Sequence, residues 1–157
     1  MPNPPTAQRA SRRDSAPWTK EERAAAQAAV KERQAAARGK GDERAEGLRG
    51  VMEAIAKMPV DDRAMAERIH ELILQAVPSL VPKTYYGMPG YASDGKNGKP
   101  ICFFKPKSKF RVRYSNLGFQ PAAQLDEGDM WATEFAVIAL TPAVEKRIVE
   151  LVKKAVG

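Results

Sequence analysis

A chain of 157 residues is long enough for one domain that buries a core without disulfide staples, and its single cysteine, Cys102, excludes a disulfide framework within it. No apolar run approaches the ~20 residues that span a bilayer, and the N-terminus lacks the apolar stretch of a secretory signal, so a cytoplasmic, reducing setting with no membrane partner is expected. The formal charge of +7 is uneven: residues 83–120 carry eight cations against Asp94 alone, whereas 51–82 and 121–157 each come out at −2. Such polarity suits an anion or nucleic acid, and equally a plain solvated face.

Residues 1–17 are rich in Pro, Ser and Arg and read as a disordered basic tail. Residues 18–41 read as a helical extension. Thr19 with Glu22 three residues on forms a capping box, which opens an alanine-rich helix to about Arg38, with Trp18 as anchor and Gly39, Lys40 and Gly41 as its stop. The domain proper is expected over 42–157. Asp42 can cap its first helix, in which Leu48, Val51, Met52, Ile55 and Met58 make an apolar stripe despite Gly47 and Gly50, and Pro59 ends it.

Asp61 starts the next helix, with Met65, Ile69, Leu72, Ile73, Ala76 and Val77 at helical spacing. The last helix opens with Thr141 as cap and Pro142 in its first turn, and places Val144, Ile148, Leu151, Val152, Ala155 and Val156 in the same pattern. Between these two helices the aromatic and glycine density points to strands: Thr84 to Ala92, Ile101 to Phe104, Phe110 to Tyr114 and Thr133 to Leu140, with Asp94-Gly95 and Asn97-Gly98 as hairpin turns. Phe110, Val112 and Tyr114 alternate with Arg111 and Arg113, which gives that strand a buried face and a basic one. Pro89 marks an edge, a bulge or a bend. The fold class that follows is α+β: a two-layer sandwich in which helices pack on one face of an antiparallel sheet, preceded by the N-terminal helical extension.

The residues Met58-Pro59, Asp62-Arg63, His70, Tyr86-Gly87-Met88-Pro89 with Tyr91, Phe103-Phe104, Lys109-Phe110, Arg113-Tyr114, Leu117-Gly118-Phe119, Leu125-Asp126, Gly128 and Met130-Trp131 carry a resemblance. From about Trp18 to the C-terminus the chain resembles the YdhG-like family, a bacterial domain of unknown function. The resemblance implies a compact sheet with helices packed on it, similar to frataxin, in a cytoplasmic setting. One member of the family is described as a frataxin-like iron chaperone, which would make iron the ligand and iron-accepting proteins the partners. The chain departs from the family in having Tyr85 where a tryptophan usually precedes Tyr-Gly-Met-Pro, and Ala132 where proline often follows Met-Trp.

Iron accepts carboxylate oxygen and imidazole nitrogen. On the Asp61 helix Glu67, His70 and Glu71 lie three and four residues apart and share a surface, and Asp126, Glu127 and Asp129 form a second acidic group on a glycine-containing loop. A chaperone needs weak, open coordination, which such a carboxylate surface supplies better than a closed cage. Each group has a plainer reading as well, His70 as a hydrogen-bonded boundary residue and the loop acids as solvated. Nucleic acid is the alternative partner. Lys105, Lys107, Lys109, Arg111 and Arg113 beside Phe103, Phe104 or Tyr114 combine charge with aromatic platforms, although no RNP signature is present. A third reading is a small-ligand pocket at the Tyr86 to Tyr91 bend, lined by Tyr86, Met88, Pro89, Tyr91 and Trp131. Catalysis finds little support: Cys102 sits in an apolar run and reads as buried and inert, and no phosphate loop, nucleotide fingerprint or zinc spacing occurs. The expected function is therefore non-catalytic binding.

Overall fold

The computed structural model describes residues 19–38, 43–94 and 98–157, with residues 34–38 described through their helical backbone alone. The basic tail, the Trp18 anchor, the Gly39 to Gly41 stop, the Asp42 cap, and Gly95 and Asn97 of the hairpin turns lie outside the described residues. Among those described, the chain is α+β. Helices α1 (Lys20–Arg38), α2 (Glu43–Ala56) and α3 (Val60–Ala76) lead into strands β1 (Val81–Pro82), β2 (Gly90–Ala92) and β3 (Pro100–Lys105). A single helical turn, α4 (Lys107–Phe110), then precedes β4 (Ser115–Phe119), β5 (Glu134–Val137) and the closing helix α5 (Pro142–Val156). The strands form one antiparallel sheet in the order β1-β2-β3-β4-β5.

Local chemistry sets the helix ends. The capping box is closed in both directions: Glu22 N donates to Thr19 Oγ1 at 3.1 Å, and Thr19 N donates to Glu22 Oε2 at 3.3 Å. Val144 N donates to Thr141 Oγ1 at 3.3 Å, with Pro142 in the first turn of α5. Helix α3 differs from expectation. It starts at Val60, directly after Pro59, and no side chain caps it, so Asp61 falls in its first turn.

Helices α2, α3 and α5 cover the sheet face that carries Tyr91, Cys102, Phe104, Leu117, Phe119 and Val137, and the core lies between these layers. Val51 and Ile55 of α2, Ala66, Ile69 and Ile73 of α3, and Ile148, Val152 and Ala155 of α5 are its buried helical members. The expected α2 stripe is narrower than five residues, because Leu48 and Met52 face solvent. Gly47 explains this: a Cβ there would overlap the backbone carbonyl oxygen of Pro82, so the helix approaches β1 through its glycine face and turns Leu48 outward.

Two expected strands are corrected. The stretch Thr84 to Ala92 is not one strand, because it contains the tip of a hairpin. Tyr85 N donates to Met88 O at 2.8 Å and Met88 N to Tyr85 O at 2.9 Å, which leaves Tyr86 and Gly87 as a two-residue loop, both at positive φ (48° and 76°). That is the backbone of a type I′ turn, whose twist matches the strands it joins. The stretch Phe110 to Tyr114 is not a strand either. Pro106 precedes a helical turn that ends with Arg111 in the left-handed region (φ 53°, ψ 47°), and the strand starts only at Ser115.

On the face away from the core, Gly90, Phe103, Gly118 and Glu134 stand in one row across four strands. A Cβ on Gly118 would overlap the Phe103 ring, so the glycine is the space into which that ring lies. The Gly47→Ala substitution is expected to cost roughly 1–3 kcal/mol by forcing α2 off β1. Gly50→Ala meets only the Thr84 methyl at 3.3 Å and should stay within about 1 kcal/mol of the parent protein. Urea unfolding midpoints of the two variants check this, and equal midpoints would remove the close-approach explanation.

Candidate functional site

The residues expected to bind metal are placed in two separate groups. His70 is half-buried on α3, and its Nδ1 lies 2.7 Å from the hydroxyl of Tyr91, which is itself 2 % exposed. Burial pushes the Tyr91 hydroxyl up and the His70 imidazole down, so both stay neutral, and the geometry fits the phenol donating to a ring nitrogen. Glu71 is held by Arg68 at 2.9 Å, and the same guanidinium grips Glu145 of α5 through two bonds of 3.1 and 2.8 Å. Glu67 is exposed. Asp126, Glu127 and Asp129 are also exposed, on the loop between β4 and β5, with Glu127 3.7 Å from Lys154. Among the described residues, no three His, Cys, Asp or Glu side chains converge on a point that could hold a metal ion.

The residues expected to line a small-ligand pocket do not gather either. Met88, Pro89 and Tyr91 are buried, and Tyr91 points into the core toward His70. Tyr86 is 49 % exposed at the hairpin tip. Trp131 precedes β5, and three strand spacings of about 4.8 Å separate β5 from β2. Cys102 is buried, which pushes its thiol up to about 12 and keeps it protonated, as expected for an inert position.

The cations fare differently. The turn at α4 draws them around a corner, not along a strand. Lys105 Nζ lies 4.7 Å from the centre of the Phe110 ring, with Lys109 Nζ at 5.9 Å, and the Arg113 guanidinium lies 5.1 Å from the Tyr114 ring. Each ring face attracts its cation through the quadrupole and fixes it near the surface. Lys109 Nζ also donates to Tyr86 O at 3.0 Å, which ties the corner to the tip of the β1-β2 hairpin. There Tyr86 stands edge-on to Tyr85 (4.7 Å), which leans on Phe103 (5.0 Å). Burial lowers the Lys109 ammonium from its usual value, and nearby Glu32 partly offsets this. Arg111 projects into solvent, 3.0 Å from Glu21. Among the described residues Lys105, Lys107 and Arg113 have no carboxylate within ion-pair distance.

Sequence reasoning missed what builds this corner. Asp62 and Ser115 are the buried polar side chains of the described structure. Ser108 N donates to Asp62 Oδ2 at 3.1 Å and Lys107 N donates to Ser115 Oγ at 3.0 Å, so the first amides of α4 are capped by a helix distant in the chain and by the strand that follows. The two residues line a cleft of about 300 Å³ together with Asp61, Met65, Lys107, Arg113 and Tyr114. One signal was present: Asp62, Ala66 and Ile69 follow the spacing of the buried stripe, which marks Asp62 as an acid on an apolar face.

Comparison of the chain with protein-family models, with curated proteins and with solved structures finds no match.

Two outcomes follow from these contacts. Asp62→Ala leaves the Ser108 amide without its acceptor and should cost roughly 1–3 kcal/mol. Asp62→Asn, which keeps a carbonyl oxygen, should recover much of that, with urea unfolding as the measure. The folded imidazole of His70 lies below its ordinary value of 6.5, so the folded state binds fewer protons than the unfolded one in that range. Stability is thus full above pH 6.5 and declines as pH falls through that value. Melting at about pH 7.5 and about pH 5 should show a larger drop for the parent protein than for His70→Gln, and equal drops would remove His70 as the cause.

Proposed function

We propose that this chain is a non-catalytic binding protein that holds single-stranded nucleic acid at the corner formed by the end of β3, α4 and the start of β4. The observation that carries the reading is the gathering of Lys105, Lys107, Lys109, Arg111 and Arg113 around one helical turn, with three of them over aromatic rings. Phosphates are attracted to clustered cations, and cations already fixed on ring faces lose little freedom when they bind. Phe110 and Tyr114 are engaged by the chain's own cations, and the exposed Tyr86 is the platform for a base. Tyr86 is joined to the corner by its carbonyl bond to Lys109.

The meander sheet with helices at both ends of the chain is in keeping with the frataxin-like sandwich and the YdhG-like family, and a cytoplasmic setting suits the reduced, buried Cys102. Iron handling is supported by the family resemblance alone. It would have to use Glu67 or the Asp126 to Asp129 loop, because His70 and Glu71 are engaged by Tyr91 and Arg68.

Fluorescence anisotropy with a labelled single-stranded oligonucleotide tests the reading. With about three phosphate contacts, log affinity should fall against log salt with a slope of about −2. Lys107→Ala and Arg113→Ala should each reduce that slope by about 0.7. Affinity that ignores salt, or no binding even at low salt, would overturn the assignment.

A further inference from the structure

Helix α1 stands on the proposed corner, and it does so through acids. Glu32 Oε1 accepts the Gly87 amide at 2.9 Å, at the hairpin tip beside Lys109. One end of the helix away, Glu21 reaches Arg111 at 3.0 Å. Between them Ala28 packs against Gly87 so closely that a Cβ on the glycine would lie 3.0 Å from the alanine methyl and from Lys109 Nζ. The helix has little else to hold it. Of its described side chains only Ala29 is buried, it does not join the core, and Val30 is 48 % exposed. A helix with so small an apolar face depends on its polar contacts for its position. Those contacts are a carboxylate on a backbone amide near an ammonium and a carboxylate on a guanidinium, which are the interactions a phosphate would make in the same places.

We infer that α1 is a displaceable cover whose Glu21 and Glu32 occupy the anion positions of the corner, so that nucleic acid binds by lifting the helix. The inference rests on the nucleic-acid reading above. Lifting α1 frees Arg111, the Gly87 amide and the face of the hairpin tip together, so the cover and the ligand compete for one surface. Competition of this kind is a coupling between two binding equilibria, and removing the cover's two anchors must strengthen the ligand by the coupling factor.

The test uses the full chain in three forms: the parent, Glu21→Ala with Glu32→Ala, and a control with Glu53→Ala and Glu150→Ala. The control removes the same charge from exposed positions on α2 and α5. Alanine keeps helix propensity in every case, and circular dichroism confirms the fold of each. Anisotropy at low salt with the single-stranded oligonucleotide should show the α1 variant binding about tenfold tighter than the control. Hydrogen exchange on the parent should show α1 amides losing protection when oligonucleotide is added. If the parent binds but the α1 variant and the control tighten equally, or α1 keeps its protection in the complex, the cover is refuted while the corner stands. Absence of binding by all three proteins refutes the nucleic-acid reading and the cover with it.

Discussion

The capping of α4 by Asp62 and Ser115 is the constraint on which the outer half of this molecule depends. Two partly buried backbone amides need acceptors, because an amide left unpaired away from water costs more than a typical hydrogen bond contributes net. The acceptors come from α3 and β4, so the turn ties the helical layer to the sheet. Once it forms, β3 is turned back to pair with β4, Cys102 opposite Phe119 and Phe104 opposite Leu117, and the core face is set. The same turn swings Lys107, Lys109 and Arg111 outward in a cluster. A buried carboxylate thus organises a basic surface without touching most of its cations.

The helices were legible because everything that makes them is local. Thr19 and Glu22 are three residues apart, Thr141 is followed by Pro142, and the apolar residues of α3 and α5 recur at 3.6 residues. The sheet was legible in kind but not in outline. Phe-Arg-Val-Arg-Tyr alternates as a strand does, yet only Phe110 lies in the helical turn and Arg111 to Tyr114 lead from it to β4. One deciding partner, Asp62, lies far outside the window in which alternation is read. At the hairpin the deciding feature was backbone: Tyr86 adopts a positive φ that few side chains tolerate, and its neighbour Gly87 was the visible hint. The exposure of Leu48 and Met52 was hidden for a related reason, since Gly47 matters through the Pro82 carbonyl that approaches it and not through any side chain.

Site residues were legible as residue types and poorly legible as assemblies. Sequence spacing could show that Glu67, His70 and Glu71 share a helix surface. It could not show that Tyr91 crosses from the sheet to take the imidazole, or that Arg68 takes Glu71 and Glu145 together. Tyr86 and Tyr91 look like neighbours in a pocket when read along the chain, yet one stands at a hairpin tip and the other lies in the core. The cations were read correctly as a local excess, and the rings that hold them lay within a few residues of each. What the sequence could not supply was the corner that turns a line of charges into a cluster.

The meander has a consequence for how the molecule comes into being. Each strand pairs with the one before it, so the sheet can grow hairpin by hairpin as the chain emerges, each pairing closing a loop that is local in sequence. The helical layer has no such sequence. Helix α5 follows every strand, and it completes the core with Ile148 and Val152, locks to α3 through Arg68 and Glu145, and receives the Gln124 amide at 2.8 Å on the Ala155 carbonyl. A nascent chain that has made all five strands still presents one side of Ile69, Ile73 and Leu117 to water. It is the addition of α5 that ends this exposure, so the interval before it arrives is when the chain is most open to aggregation.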